Sequence, residues 1–367
     1  MTFRERTLGI FGRREVDNIV FQPRIEHWYN VNKQDGTLPE RYAGMSLLDL
    51  YDDLGCSLRT YDFTYLALKS VDDPSVVVST ENHGEDVVVT RWETPVGTIQ
   101  NRVRLSPGWH IEEFPVKTTE DMRVMEYIIS GRRWEFDAAA FEQADRAIGE
   151  RAAPMLCIPR INIMRISIEM MGFENTLYAL MDYPEEMESL IGAIDEGDRQ
   201  LVDCVCASPF EIINFGDNLD QHICAPSLFE HYMLPVYQWR TAAFRAKGKF
   251  THSHWDGSVK LLLKYAQQTG LDGIEALTPL PQGDVTVEEI KDGIGDMVLL
   301  DGIPMLHFMP DMPIEEFEAM THKVIDTFAP NLVLGVSDEL SPVCDIERVR
   351  RVAEIVRARD GAVEVRA

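Results

Sequence analysis

The sequence predicts an α/β fold, a (β/α)8 TIM barrel with an N-terminal extension and an antiparallel β insertion. Three observations predict it. From about residue 155 onward, short apolar strands alternate with amphipathic helices, the pattern of a parallel sheet covered on both faces. No GxGxxG or GxxxxGKS/T stretch follows a strand, so the phosphate cradles of open nucleotide-binding sheets are missing. The 367 residues suit either one barrel of roughly 250 residues carrying insertions or two ordinary domains, and the single run of strand–helix units favours the barrel. No repeat, low-complexity tract or long polar linker divides residues 1–367, which read as one domain.

In chain order, the first 75 residues mix helical patterns such as "MSLLDLYDDLG" with "DNIVFQPRIEHWY", where an apolar strand runs into polar and aromatic groups. Residues 76–116 alternate, are rich in Val, Thr and Trp, and are broken by Gly-containing turns, which predicts an antiparallel excursion. Strands follow at 155–162, 210–218, 248–254, 271–279, 297–304 and 332–339. Helices are expected between them, including "GSVKLLLKYAQQTG" and "PIEEFEAMTHKVIDTFA". Counting "DNIVFQPRI" as a strand gives about seven units, which favours a closed barrel over an open sheet.

Composition limits the function classes. The net charge of −26, from 61 acidic and 35 basic residues, disfavours nucleic acid and other polyanions. No apolar run approaches the roughly 18 residues of a membrane span. The start "MTFRERTLGIFGRREVDNIVF" lacks the order of a signal peptide, so a cytoplasmic location is expected. Six cysteines without a CxxC pair read as buried thiols rather than a disulfide framework or zinc ribbon.

In such a barrel the chemistry gathers at the C-terminal ends of the strands. The polar residues there are Arg24, Glu26 and His27, then Asp217 and Asn218, then His252, His254 and Asp256, then Glu275, Asp301, Asp338 and Glu339. His252 and His254 are two apart, so in a strand both imidazoles face one side and can reach one ion. Glu275 closes the next strand and could complete a His/His/Glu set, with Asp338 or Cys344 as a fourth ligand, a combination that suits catalytic zinc. Plainer readings stand beside these: Asp217 as a helix cap, Trp28 and Tyr29 as core, Asp301 as the close of a turn.

The ordered series "FEIINFGDN", "APSLFEHYMLPVYQ", "HSHWDG", "GLDGIEAL", "DMVLLDGIP" and "LVLGVSDELSPVCDIERVRRV" resembles the uroporphyrinogen decarboxylase superfamily, in particular its corrinoid-dependent methyltransferase branch. "RWETPVGTI" and "SPGWHIEEFPVKTTEDM" are similar to an insertion found in that superfamily. The decarboxylase proper binds eight carboxylates with arginines in an RQAGR-like stretch; "FQPRIEHWYN" keeps only Arg24, which makes porphyrinogen a poor fit. The methyltransferase branch carries zinc on His-x-Cys, then Glu, then Cys. Here His252 and Glu275 match, while His254 and Asp338 stand where that branch has cysteines. Harder ligands favour an oxygen-bound substrate.

The resemblance therefore implies a zinc-dependent methyltransferase moving a methyl group between an oxygen-bearing small molecule, such as an aryl methyl ether, and a corrinoid (cobalamin) carried on a partner protein. Asp217, Arg24 and Glu275 are the catalytic candidates, and His27, Trp28, Tyr29, Trp109, His110 and Asn218 the substrate-binding ones. A homodimer is compatible with the sequence. The alternatives are a metal-free decarboxylase and a non-catalytic barrel.

Overall fold

The structure, a computed structural model, describes residues 1–105 and 109–359. Seven strands form one parallel sheet: β1 (Val20–Phe21), β2 (Met155–Ile158), β3 (Ile212–Phe215), β4 (Phe250–His254), β5 (Gly273–Glu275), β6 (Val298–Pro304) and β7 (Leu332–Ser337). Their order is β1-β7-β6-β5-β4-β3-β2, so β1 and β2 lie at the two edges.

Residues 56–60 fill the gap between those edges as an eighth, irregular stave. Ser57 N–H donates to the Phe21 carbonyl at 2.8 Å, and Gln22 Nε2 donates to the Leu58 carbonyl at 2.8 Å. On the other side Met155 N–H donates to Thr60 Oγ1 at 2.7 Å. The stave makes no ladder because the chain turns at Thr60 (φ −104°, ψ 0°) into the helix Tyr61–Thr64. The α/β barrel expected from the sequence is thus present, with one stave held partly by side chains.

The N-terminal extension is the helix Phe3–Phe11, opened by a capping box between Thr2 and Glu5. Its Ile10 and Phe11 cluster with Val20, Met155, Ile212, Val298 and Val333 from the strands, which closes the barrel's N-terminal end with apolar side chains. The Phe11 ring lies 5.9 Å from the His252 imidazole, so the interior passes from apolar to polar along β4.

Residues 77–82, 87–94, 97–104 and 110–113 form the antiparallel sheet of the insertion. Ile99 and Val103 share one face of this sheet and are buried, and Val87 is buried on the other face. The strands Leu68–Val71 and Arg133–Phe136 pair antiparallel as a separate ribbon that the sequence reading missed.

Several elements are shorter than expected, for local reasons. Ala276 adopts φ +66° and gives its N–H to Asp301 Oδ2 at 3.1 Å, which stops β5 at Glu275. The stretch 257–270 contains a 3₁₀ segment, Leu263–Thr269, in place of the expected α-helix. Ser258 N–H is taken by Asp220 Oδ2 and Val259 N–H by Asp284 Oδ1, so the start of that segment is tied to loops. β1 ends at Phe21, two residues before Pro23, and the helix Glu26–Asp35 then carries His27, Trp28 and Tyr29. Among the described residues no helix is long and apolar enough to cross a membrane.

One buried carboxyl in that helix sets a pH dependence. Burial pushes Glu26 up to about 7, opposed by the Tyr51 hydroxyl that donates to it at 2.7 Å. A folded value above the unfolded one means the protonated form favours folding: its contribution is complete below about 4.5 and is lost as pH rises to about 7. Glu26→Gln is expected to be more stable than the parent at pH 8 by up to about 3 kcal/mol, with no difference near pH 4. Urea unfolding at the two pH values measures it, and a pH-independent difference would refute the assignment.

Candidate functional site

A cavity of about 470 Å³ opens over the C-terminal ends of the strands, lined by Arg24, Tyr61, Tyr65, Leu68, Trp134, Cys157, Ile158, Pro159, Arg160, Asn214, Gly216, Asn218, His254, Glu275 and Asp338. Strand register builds its floor. His252 is level with Asn214 on β3, and His254 is level with Glu275 on β5.

Glu275 is the most heavily bonded group. Its Oε1 accepts from His254 Nδ1 at 2.8 Å and from Asn214 Nδ2 at 2.8 Å. Its Oε2 accepts from the Tyr61 hydroxyl at 2.8 Å and from Arg59 Nη1. Burial would raise this carboxyl, but Arg59 and the two histidines hold it well below the usual carboxylate range. Arg59 Nη2 also donates to Asp301 Oδ1 at 2.6 Å. Asp301 has fewer donors, and burial pushes it up to about 7 against the pull of Arg59. One buried guanidinium therefore serves two carboxyls, of which Glu275 is the one held ionised.

The two histidines differ. His252 is fully buried, burial lowers it to about 4, and its Nε2 lies 3.4 Å from the Tyr61 hydroxyl. For His254 burial acts to lower the pKa, yet Glu275, Asp338 and Asp256 raise it on balance. His254 Nε2 is buried without a hydrogen-bond partner. It lies 3.7 Å from Asp338 Oδ1 and 3.9 Å from Asp256 Oδ2, and one ligand atom from each of the three residues falls within 4.8 Å of the others.

That trio fits a divalent cation. One imidazole nitrogen and two carboxylates are a donor set for zinc-class ions. The Glu275 bond to Nδ1 fixes the tautomer that leaves Nε2 free to ligate, the arrangement common behind metal-bound histidines. Arg24 pairs with Asp338 through Oδ1, the oxygen that lies 3.7 Å from His254 Nε2, which leaves Oδ2 of Asp338 without that pairing, and at 2.6 Å with Glu339 Oε1.

The structure thus brings together His254, Glu275, Asp338, Arg24 and Asn218 from the expected residues. His252 lies one step deeper, and Glu275 orients His254 with oxygens already engaged by four side chains. Cys344 does not line the cavity; its Sγ packs 3.5 Å from Met305 Sδ, and burial pushes the thiol up to about 11. Asp217 is consumed structurally, accepting from Ile161 N–H at 2.8 Å, Ser253 Oγ at 3.1 Å and the Tyr237 hydroxyl. Trp28 and Tyr29 are core, donating to the carbonyls of Cys344 at 3.1 Å and Met45 at 2.8 Å. His27 is exposed on its helix, and His110 is exposed on the insertion. Trp109 lines a different cavity, under the insertion; residues 106–108 of "SPGWH" lie outside the described residues.

The sequence reading missed Arg59, Tyr61, Asn214 and Arg160. The signal for Arg59 was a charged residue closing the short "CSLRT" segment, and for Asn214 an amide inside the apolar run "FEIINF".

No protein-family model matches the sequence, and no curated protein matches it. Among solved structures the chain is similar to a B12-independent methionine synthase from Shewanella sp. W3-18-1 in complex with selenomethionine. The identity is 11% and the TM-score 0.41, over 86% of this chain and 87% of that one. A likeness at that level bears on neither site nor activity.

Proposed function

We propose that this chain is a methyltransferase that holds a zinc-class cation on His254 Nε2, Asp256 and Asp338 and takes the methyl group from an oxygen-bearing small molecule. The buried, partnerless Nε2 of His254, turned toward two carboxylates by Glu275, carries the reading. The acceptor, by the family resemblance, is a corrinoid brought by a partner protein.

When bound, the cation would supply a Lewis acid that eases charge build-up on the departing oxygen. The chain's residues do the rest. Glu275 keeps a proton on His254 Nδ1, and Arg24 fixes the carboxylate of Asp338. Tyr65, Leu68, Trp134 and Ile158 give the cavity an apolar wall that reduces water around the methyl group. The methyl–oxygen bond breaks, the methyl group passes to the nucleophilic acceptor, and the substrate oxygen keeps the electron pair and gains a proton from solvent.

A porphyrinogen-type decarboxylase is less well served. Arg24 and Arg160 line the cavity, and both are already paired, Arg160 with Glu169 at 2.6 Å. An eight-carboxylate substrate would need several such groups unengaged.

Zinc analysis after dialysis tests the centre. The parent protein is expected to hold about one zinc per chain, and His254→Ala and Asp256→Asn far less. Equal zinc in all three proteins would refute the site, and equal conversion of 2-methoxyphenol with cob(I)alamin by the parent, His254→Ala and Asp256→Asn would refute the metal's part in the reaction.

A further inference from the structure

A second cavity, of about 390 Å³, lies between the antiparallel sheet, the helix Thr119–Gly131 and the chain after β2. Strand pairing determines what faces it. Trp92 is opposite Ile99 and Thr90 is opposite Asn101, so Trp92 and Asn101 share the inward face of the sheet. Trp109 adds a second indole, and Ile128 an aliphatic wall from the helix. Flat aromatic walls with an aliphatic backing suit a planar ring.

Two polar atoms of this lining are buried without a partner: Asn101 Oδ1, an acceptor, and Arg160 Nε, a donor. Buried groups of this kind ordinarily have partners. A hydroxyl can serve both, since it donates and accepts. Glu169 neutralises Arg160, so the chamber calls for a neutral ring rather than an anion.

Arg160 also lines the barrel cavity, where its Nη2 donates to Asn218 Oδ1 at 2.8 Å. It is a wall common to both spaces. We infer that the insertion forms an aryl chamber that seats a hydroxylated aromatic ring, with Asn101 and Arg160 reading the hydroxyl and Trp92 and Trp109 stacking on the ring. The assignment of that ring to the substrate rests on the proposed methyl transfer; binding of the ring does not.

Calorimetric titration of the full chain with phenol, with cyclohexanol as the non-aromatic control, tests the chamber. Phenol is expected to bind about tenfold more tightly than cyclohexanol. Trp109→Ala, at an exposed position, and Asn101→Leu are each expected to weaken phenol about tenfold. Chelator treatment is expected to leave phenol binding unchanged, which separates the chamber from the metal centre. Equal binding of the two alcohols, parent-like phenol affinity in both variants, or loss of phenol binding on chelation would each overturn the inference.

Discussion

Arg59→Met is expected to destabilise the protein by about 3–5 kcal/mol, the usual result of leaving buried charges without their partner. Arg59 is 2% exposed and bridges Glu275 and Asp301, which are themselves buried. Methionine approximates the volume of the stem but supplies no donor. Glu275 would keep Tyr61, Asn214 and His254, whereas Asp301 would keep, among the described residues, the Ala276 N–H. Both carboxyls would then bind protons more readily than in the parent, so the deficit should shrink as pH falls and widen as pH rises. Arg59→Lys should fall between, because one ammonium cannot reproduce the two-armed contact. Urea unfolding at pH 5 and pH 8 measures all three proteins. A methionine variant within about 1 kcal/mol of the parent at pH 8 would mean that the bridge is dispensable, as some exposed pairs are.

The part of this centre legible in the sequence was the part carried by regular strands. The spacing of His252 and His254 and the position of Glu275 one strand later follow from the period of two and the parallel register, and the structure sets His254 level with Glu275. What periodicity cannot show is which oxygens are already taken. Glu275 looked like a ligand because it ends a strand beside an HxH pair; its four donors come from elements as far apart in sequence as Arg59 and Asn214. Arg59 itself sits on a stave with no ladder, so no strand pattern marks it. Trp28 and Tyr29 read either as pocket walls or as core while "DNIVFQPRIEHWY" was an apolar strand running into polar and aromatic groups. Once Pro23 ends that strand and a helix begins at Glu26, the same residues turn inward to the core. Asp338 was legible as a ligand from its place at a strand end, whereas Asp256, named only among the strand-end polar residues, comes to His254 through the turn after β4.

The division of roles between Glu275 and the trio gives the second large effect. Glu275→Gln is expected to lower zinc affinity roughly 10- to 100-fold without abolishing binding, the magnitude seen when a carboxylate behind a metal-bound histidine is removed. The amide introduced by that substitution would keep one oxygen to accept from Tyr61 or Asn214, and Arg59 would keep Asp301, so the variant retains part of the local bonding. What it loses is the anion that holds the His254 Nδ1 proton and raises the basicity of Nε2. Direct ligands behave differently: His254→Ala removes a donor atom and Asp256→Asn removes an anionic donor's charge, and both should reduce retained zinc to near background. Competition with a chromophoric chelator ranks the four proteins by affinity. The same total loss in Glu275→Gln as in His254→Ala would make Glu275 a ligand and move the metal one step deeper, toward His252. An unchanged affinity would mean that the imidazole is oriented by strand packing alone. Only the intermediate result fits a histidine whose one nitrogen is anchored by a buried carboxylate while the other faces the cavity.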